Sequence, residues 1–330
     1  MFNNKTIFYG ALDWGLGHAT RSVPIIKQLL KNNTVILGVT PLTGKIFDEE
    51  FPELKKINLP AYNIKYSSIL PLWLKLGLSS PRISRIIANE HKLLSKIISE
   101  NNIEVVISDN RFGLYSEKIH SVFITHQLFL KAPVFENFGS KLNQKYINNF
   151  NEVWVPDYDG SASSPENLSG ELSHGKLFHK NIQYIGPQSR LQDVICEVEK
   201  DKYDYLILLS GPEPTRTALE EELFKKIKSS GKKIAFVRGS KFKVEGSKLD
   251  ALEVFDFPTK EELKKLILSS RKIICRSGYS TLMDMHLLGK KDLILIPTPG
   301  QTEQEYLADY WKIKFGSEHL SQNKISTFNL

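Results

Sequence analysis

Short apolar runs alternate with longer segments of mixed polarity along the whole chain. In the first half, "TIFYGAL", "TVILGVT", "EVVISDN", "SVFITHQ" and "EVWVP" read as strands. Each is a near-continuous apolar run, as suits a parallel sheet covered on both faces by helices. Between them lie helical patterns, "RSVPIIKQLLKNN" and "RISRIIANEHKLLSKIISENN". In the second of these, Ile83, Ile86, Ile87, Leu93, Leu94 and Ile97 recur at helical spacing. The pattern then restarts. "DYLILLSG" is a strand, "TRTALEEELFKKIKSS" a helix, "KKIAFVRGS" a strand, and "TKEELKKLILSS" a helix with Thr259 as its N-cap. "KIICRSG" and "DLILIPTPG" are two further strands flanking "STLMDMHLLGKK". Two successive strand–helix alternations predict an α/β protein of two doubly wound parallel-sheet domains. The aperiodic stretch 185–202 separates them, with 1–187 as the first domain and 188–330 as the second.

A chain of 330 residues fits two domains of ordinary size. Hydrophobic residues at 41% and charged residues at 25% are those of a soluble globular protein. The two cysteines, Cys196 and Cys275, exclude a disulfide framework and fit a reducing cytoplasm. The start "MFNNKTIFYGA" lacks the basic segment, apolar core and cleavage site of a signal peptide. No apolar run approaches the ~20 residues that span a bilayer. A net charge of +7 favours anionic partners. It does not choose among nucleic acid, anionic lipid and phosphorylated substrates.

Candidate chemistry sits where strands hand over to helices. "ALDWGLGHATRS" (11–22) follows the first strand and holds Gly15, Gly17, His18 and Arg21. A dinucleotide loop would need a third small residue and an acid after the second strand. Here Thr20 and "VILGVTP" stand instead, which argues against that use. "CRSGYSTLMD" (275–284) lies between a strand and a helix in the second half. Gly278 permits close approach, Ser277, Ser280 and Thr281 offer hydroxyls, and the helix N-terminus presents N–H groups to a diphosphate. Arg276 adds charge, and Asp284, about one turn on, could accept both hydroxyls of a ribose. A plain capped helix with a surface Asp is the alternative. "IPTPGQTEQEYLA" puts Glu303 and Gln304 at the same carboxyl edge, where ligands collect in open α/β sheets. "LLSGPEPTRT" is a third loop there, with Ser210, Gly211, Thr215 and Arg216 available to phosphate.

"KIICRSGYSTLMD" with "PTPGQTEQEY" resembles the donor half of GT-B glycosyltransferases, and most closely the lipid-linked N-acetylglucosaminyltransferases of peptidoglycan synthesis and their relatives. The resemblance covers roughly residues 5–315. It implies two Rossmann-like domains facing across a cleft, with diphosphate on Ser277, Gly278 and Thr281, ribose on Asp284, and sugar on Glu303 and Gln304. "VFDFPTKEE" resembles the uracil-recognition loop and places the base near Phe257. "FITHQ" resembles that family's His-Glu-Gln segment and gives His126 and Gln127. Two departures stand out. The first loop reads "DWGLGHATR" where the family has Gly-Gly-Thr-Gly-Gly-His, so the acceptor differs. The chain also stops at "SQNKISTFNL", with no match to the family's final crossing helix.

On this reading His18 is the general base for an acceptor hydroxyl, a task suited to a neutral imidazole. Arg21 meets phosphate or an acceptor anion. Asp109 either orients His18 or caps the next turn, and His126 either contacts substrate or supports the site. In the Ser/Gly-rich loop 156–181, Glu171 and His174 are the polar groups best suited to reach an acceptor, with plain solvated loop residues as the favoured alternative. "DYD" (157–159) is an Asp-x-Asp of the kind that holds divalent metal, but it lies far from the donor motifs, so we expect no metal. "SSILPLWLKLGLSSPRISRIIANEHKLLSK" (67–96) offers Leu70, Leu72, Trp73, Leu74 and Leu76. Lys75, Arg82, Arg85, Lys92 and Lys96 follow, against Glu90 alone, as suits an anionic membrane surface.

The resemblance therefore implies an inverting glycosyltransferase. It would take a hexose or N-acetylhexosamine from a nucleotide diphosphate sugar, a UDP-sugar above all, to a hydroxyl. The acceptor would be a glycan or lipid-linked precursor, and no cofactor beyond the sugar nucleotide and no nucleic-acid partner is expected. The place would be the cytoplasm, peripheral on the membrane's inner face. A sugar-nucleotide hydrolase or epimerase on the same fold, or a non-catalytic sugar-nucleotide-binding subunit, are the alternatives.

Overall fold

A computed structural model describes residues 2–62, 80–131, 136–174, 181–227, 230–239 and 251–330. Among these the chain divides between Ser189 and Arg190 into two units.

The first unit runs β1 (Thr6–Ala11), α1 (Gly17–Leu30), β2 (Thr34–Val39), α2 (Pro41–Glu50) and β3 (Lys56–Asn58). It continues through α3 (Ser80–Asn101), β4 (Val105–Asp109), β5 (His120–Ile124), α4 (Glu136–Ile147), β6 (Glu152–Val155) and β7 (Ile182–Tyr184). Its strands form one sheet in the order β3-β2-β1-β4-β5-β6-β7, with parallel pairing throughout. The strands are the apolar runs of the sequence, and their side chains feed two layers. Ile7, Tyr9, Leu37, Ile107 and Ile124 pack with Val23, Ile26 and Leu29 of α1 on one face. Phe8, Ile36 and Val106 pack with Leu94 and Ile97 of α3 on the other. Strand order reverses between β1 and β4, so their carboxyl ends flank the crevice where ligands enter such sheets.

The second unit runs β8 (Tyr203–Leu208), α5 (Thr215–Ile227), β9 (Ile234–Val237), β10 (Leu252–Phe255) and α6 (Lys260–Leu268). Then follow β11 (Ser270–Cys275), α7 (Tyr279–Leu287), β12 (Leu293–Leu295), α8 (Thr302–Phe315) and β13 (Glu318–His319). The order β10-β9-β8-β11-β12-β13 repeats the doubly wound plan, with its reversal between β8 and β11. Thr259 caps α6 as expected: its side chain accepts from Glu262 N–H while the Glu262 side chain accepts from Thr259 N–H. Such a cap contributes about 1 kcal/mol. Residues 322–327 form a short 3₁₀ turn whose Ile325 enters the core with Leu219, Leu223 and Phe224 of α5.

Candidate functional site

At the β1/β4 edge the glycine-rich loop brings His18 onto the strand-end carboxylate. Gly15 sits at φ +88°, which a side chain would strain, and α1 begins at Gly17. His18 and Arg21, one helical turn apart, both turn back toward the end of β4. His18 Nδ1 lies 2.8 Å from Asp109 Oδ1. Arg21 Nε donates to Asp109 Oδ2 at 2.8 Å, and its Nη2 donates to Oδ1. Arg21 Nη1 donates to His126 Nδ1 at 3.1 Å. Ser22 Oγ donates to the His18 carbonyl at 2.7 Å and accepts from Tyr9 OH at 2.9 Å. Asp109 is fully buried and Arg21 is 2% exposed, whereas the His18 side chain keeps 16% exposure.

These contacts fix the tautomer. A carboxylate at 2.8 Å from Nδ1 requires a proton between them. Arg21 Nη2 also comes within 2.9 Å of Nδ1, because both groups converge on the same carboxylate oxygen. With Nδ1–H donating to Asp109, Nε2 carries the lone pair, and no described residue pairs with it. Burial raises the Asp109 carboxyl, but the Arg21 and His18 charges and hydrogen bonds outweigh it and hold it well below the usual carboxylate range. Burial first, then the Arg21 charge, lowers His18, against a smaller opposing pull from Asp109. The imidazole is therefore neutral at pH 7.

Of the residues assigned to this edge, Asp109 orients His18 and does not merely cap a turn. Arg21 corrects an expectation: its buried guanidinium faces Asp109 and His126, which take up its Nε, Nη1 and Nη2, and not a substrate anion. His126 is buried and supports Arg21. His174 is also inward-facing. It stacks on Tyr184 at 4.8 Å, with Nδ1 2.7 Å from Ser173 Oγ. Glu171 pairs with Lys131. In "DYD", the buried Asp157 carboxylate accepts from the N–H groups of Tyr158, Leu168 and Ser169 and from Ser169 Oγ, and so ties down the long loop. Asp159 accepts from Ser161. Among the described residues no cluster of three metal-ligating side chains occurs.

A second buried network at the same edge was not anticipated. Arg111, just past β4, donates to Glu90 of α3 at 2.5 Å and to the Ala11 carbonyl at 3.3 Å, and its guanidinium lies 3.6 Å from Asp13. Tyr62 OH donates to Glu90 at 2.9 Å. Glu90 is thus not the lone surface acid of a basic helix but its buried anchor, and Asp13 braces the glycine-rich loop. An arginine directly after an apolar strand ("SDNRF") was the available signal.

In the second unit the motif residues gather at the carboxyl edge. Ser210 and Gly211 follow β8, Phe257 follows β10, Arg276, Ser277 and Gly278 follow β11, and Thr298 follows β12. Gly211, at φ +101°, passes close to Thr298: a Cβ there would lie 3.6 Å from Thr298 Oγ1. Gly278 is the N-cap of α7 and supplies no side-chain cap, so the first-turn N–H groups of Tyr279, Ser280 and Thr281 face the edge. Asp284 stands on the second turn, half-buried, and Glu303 on the first turn of α8, half-buried. Phe257 is 57% exposed.

Four expected ligand contacts are instead internal braces. Ser277 Oγ donates to the Gln304 carbonyl at 2.7 Å. The Gln304 amide accepts from Thr298 N–H at 2.9 Å and donates to Gln301 at 2.6 Å, closing the loop after β12. Arg216 pairs with Glu220 and Glu213, both at 2.6 Å, and Arg238 joins Glu220 from the other side at 2.6 Å. Arg276, 1% exposed, donates to the carbonyls of Ile296, Pro297 and Thr215 at 3.0–3.1 Å and has no carboxylate within ion-pair distance among the described residues. Burial lowers its pKa to about 10, so it stays charged. Arg276 is therefore a buried charge beneath the edge, held by backbone carbonyls.

Residues 215–330 match the model of the glycosyltransferase family 28 C-terminal domain. No curated protein sequence matches the chain. Solved structures match it over its whole length. The glycotransferase of kitacinnamycin has a TM-score of 0.65 at 13% identity, covering 100% of this chain and 88% of that one. MurG of Acinetobacter baumannii has a TM-score of 0.59 at 13% identity, covering 97% and 86%. Arabidopsis thaliana UGT89C1 complexed with UDP has a TM-score of 0.62 at 14% identity, covering 98% and 90%. The fold is that of the GT-B glycosyltransferases, two parallel-sheet α/β units on one chain. The match to the family 28 model falls within the second unit.

Proposed function

We propose that the protein is an inverting, metal-independent glycosyltransferase that moves a hexose or N-acetylhexosamine from a UDP-sugar to an acceptor hydroxyl. The observation that carries this is the His18–Asp109 pair, with Nδ1 held and Nε2 left for substrate. In the reaction His18 Nε2 takes the acceptor hydroxyl proton as the acceptor oxygen forms its bond to the anomeric carbon. The bond from that carbon to the diphosphate oxygen breaks on the opposite face, and the nucleoside diphosphate leaves with the electron pair. Asp109 stabilises the imidazolium that forms. The N-terminus of α7 and the Arg276 charge favour the departing diphosphate. Asp284 is assigned to the ribose, Glu303 to the sugar hydroxyls, and Phe257 to the face of the base. UGT89C1 with bound UDP supports the donor class. The family 28 match supports sugar transfer by the second unit.

The test is His18→Ala assayed by acceptor-dependent UDP release. General-base catalysis contributes about 10²–10⁴-fold, so kcat falls by that order while UDP affinity stays within a few-fold. The wild-type assay retains its rate in EDTA. Near-normal turnover by a folded His18→Ala protein overturns the assignment.

A further inference from the structure

A carboxylate beside a histidine does two things at once. It fixes the ring, and it raises the ring's pKa, which at neutral pH makes a poorer base by protonating it. Here a third group intervenes. Arg21 reaches the same two Asp109 oxygens that face His18, through Nε and Nη2, and its Nη2 stands 2.9 Å from His18 Nδ1. Its other terminal nitrogen is held by His126. The arginine is locked by packing and hydrogen bonds on both sides, not by solvent.

We propose that Arg21 is a positioning residue that separates orientation from basicity: it lets Asp109 hold the His18 ring while its own charge keeps that ring neutral. The inference rests on His18 acting as the base of the proposed reaction. The groups facing the imidazole are Asp109 from β4, Arg21 from α1 and His126 from beyond β5, with Tyr9 of β1 reaching Asp109 through Ser22. Of these, Arg21 lowers the His18 pKa and Asp109 raises it, after burial. The two charges oppose each other at the ring, while both hold the same geometry.

The test is an NMR titration of the histidine Hε1 signals, with His18→Ala assigning one of the eight histidines. In wild type the His18 midpoint lies below the ordinary ~6.5. In Arg21→Gln, Asp109 acts unopposed, and the midpoint rises by about one unit or more. In Asp109→Asn, Arg21 acts unopposed, and the midpoint falls below that of wild type. Arg21→Lys keeps the charge and returns the midpoint toward wild type. An unmoved or lowered midpoint in Arg21→Gln overturns the proposal. Should that variant not fold, an unmoved or raised midpoint in Asp109→Asn overturns it equally. The acidic limb of kcat/KM is read in parallel. A midpoint that moves as stated while that limb stays fixed sustains the role of Arg21 and removes His18 as the base.

Discussion

Arginine is the residue whose position says least about its direction. Arg21, Arg216 and Arg276 all sit where a ligand would be met, in a first helical turn or just past a strand. Each is turned inward instead: Arg216 by Glu213 and Glu220 on its own turn, the other two by partners far away in sequence, since Asp109 lies 88 residues from Arg21 and Thr215 lies 61 from Arg276. For Arg21 and Arg276 no local pattern carries that information, because the convergence exists only once the sheet has formed. The histidine and acid of the site were legible for the opposite reason. His18 follows two glycines at a strand–helix junction, and Asp109 ends an apolar strand, so the topology alone brings both to one edge. Asp284 is the donor-side residue whose assignment is sharpest. Losing hydrogen bonds to a charged acceptor costs about 1.5–3 kcal/mol, or roughly 10–100-fold in affinity. Asp284→Ala should weaken UDP binding by that factor in calorimetry, while 2′,3′-dideoxy-UDP, which lacks the ribose hydroxyls, should bind both proteins alike. Equal UDP affinity in the two proteins removes Asp284 from the ribose.

At the scale of elements, long apolar runs announced themselves and short strands did not. β3, β7 and β13 have three, three and two residues. They extend only where a neighbouring strand already offers its edge, so no periodicity precedes them. Helix α2 did leave a signal, Thr40 and Thr43 closing a capping box around Pro41, but its apolar stripe is weak. The turn into α7 bears most on function. Gly211 needs its glycine, since φ is +101°. Gly278 does not: its φ is −70°, and a Cβ built there meets nothing within 4 Å. The fold leaves that space open, and a diphosphate on the α7 N-terminus would fill it. Gly278→Ala should thus keep or slightly raise the melting temperature, since losing glycine's unfolded-state freedom stabilises by about 0.4–1 kcal/mol. It should also weaken UDP binding by an order of magnitude or more, without changing affinity for uridine. A variant that binds UDP as wild type does would mean that no ligand approaches the backbone there.

For the whole molecule the charge is +7, and how it is laid out matters more than its size. Helix α3 buries Ile87, Glu90, Leu94 and Ile97 against the first sheet and the Arg111 network. Its opposite face exposes Arg82, Arg85, Lys92 and Lys96, spaced to form one stripe along the helix. Glu90, which would have offset one of those four charges from the surface, points inward onto Arg111, and only Glu100, 3.6 Å from Lys96, stands against the stripe. The apolar residues expected to accompany it, Leu70, Leu72, Trp73, Leu74 and Leu76 with Lys75, lie outside the described residues. No helix of the described residues is long and apolar enough to cross a membrane. A lipid-linked acceptor would then be met at an anionic surface through this stripe. Each basic residue near such a surface contributes about 1 kcal/mol, screened over about 8 Å at physiological ionic strength. The protein should therefore sediment with phosphatidylglycerol vesicles at low salt, and release as salt approaches several hundred millimolar. Arg82→Glu with Arg85→Glu reverses two of the four charges and should abolish sedimentation. Turnover with a water-soluble acceptor stays unchanged, because neither arginine belongs to the His18 or α7 edges. If wild type never sediments at low salt, the stripe is an ordinary solvated helix face and the acceptor is a soluble glycan.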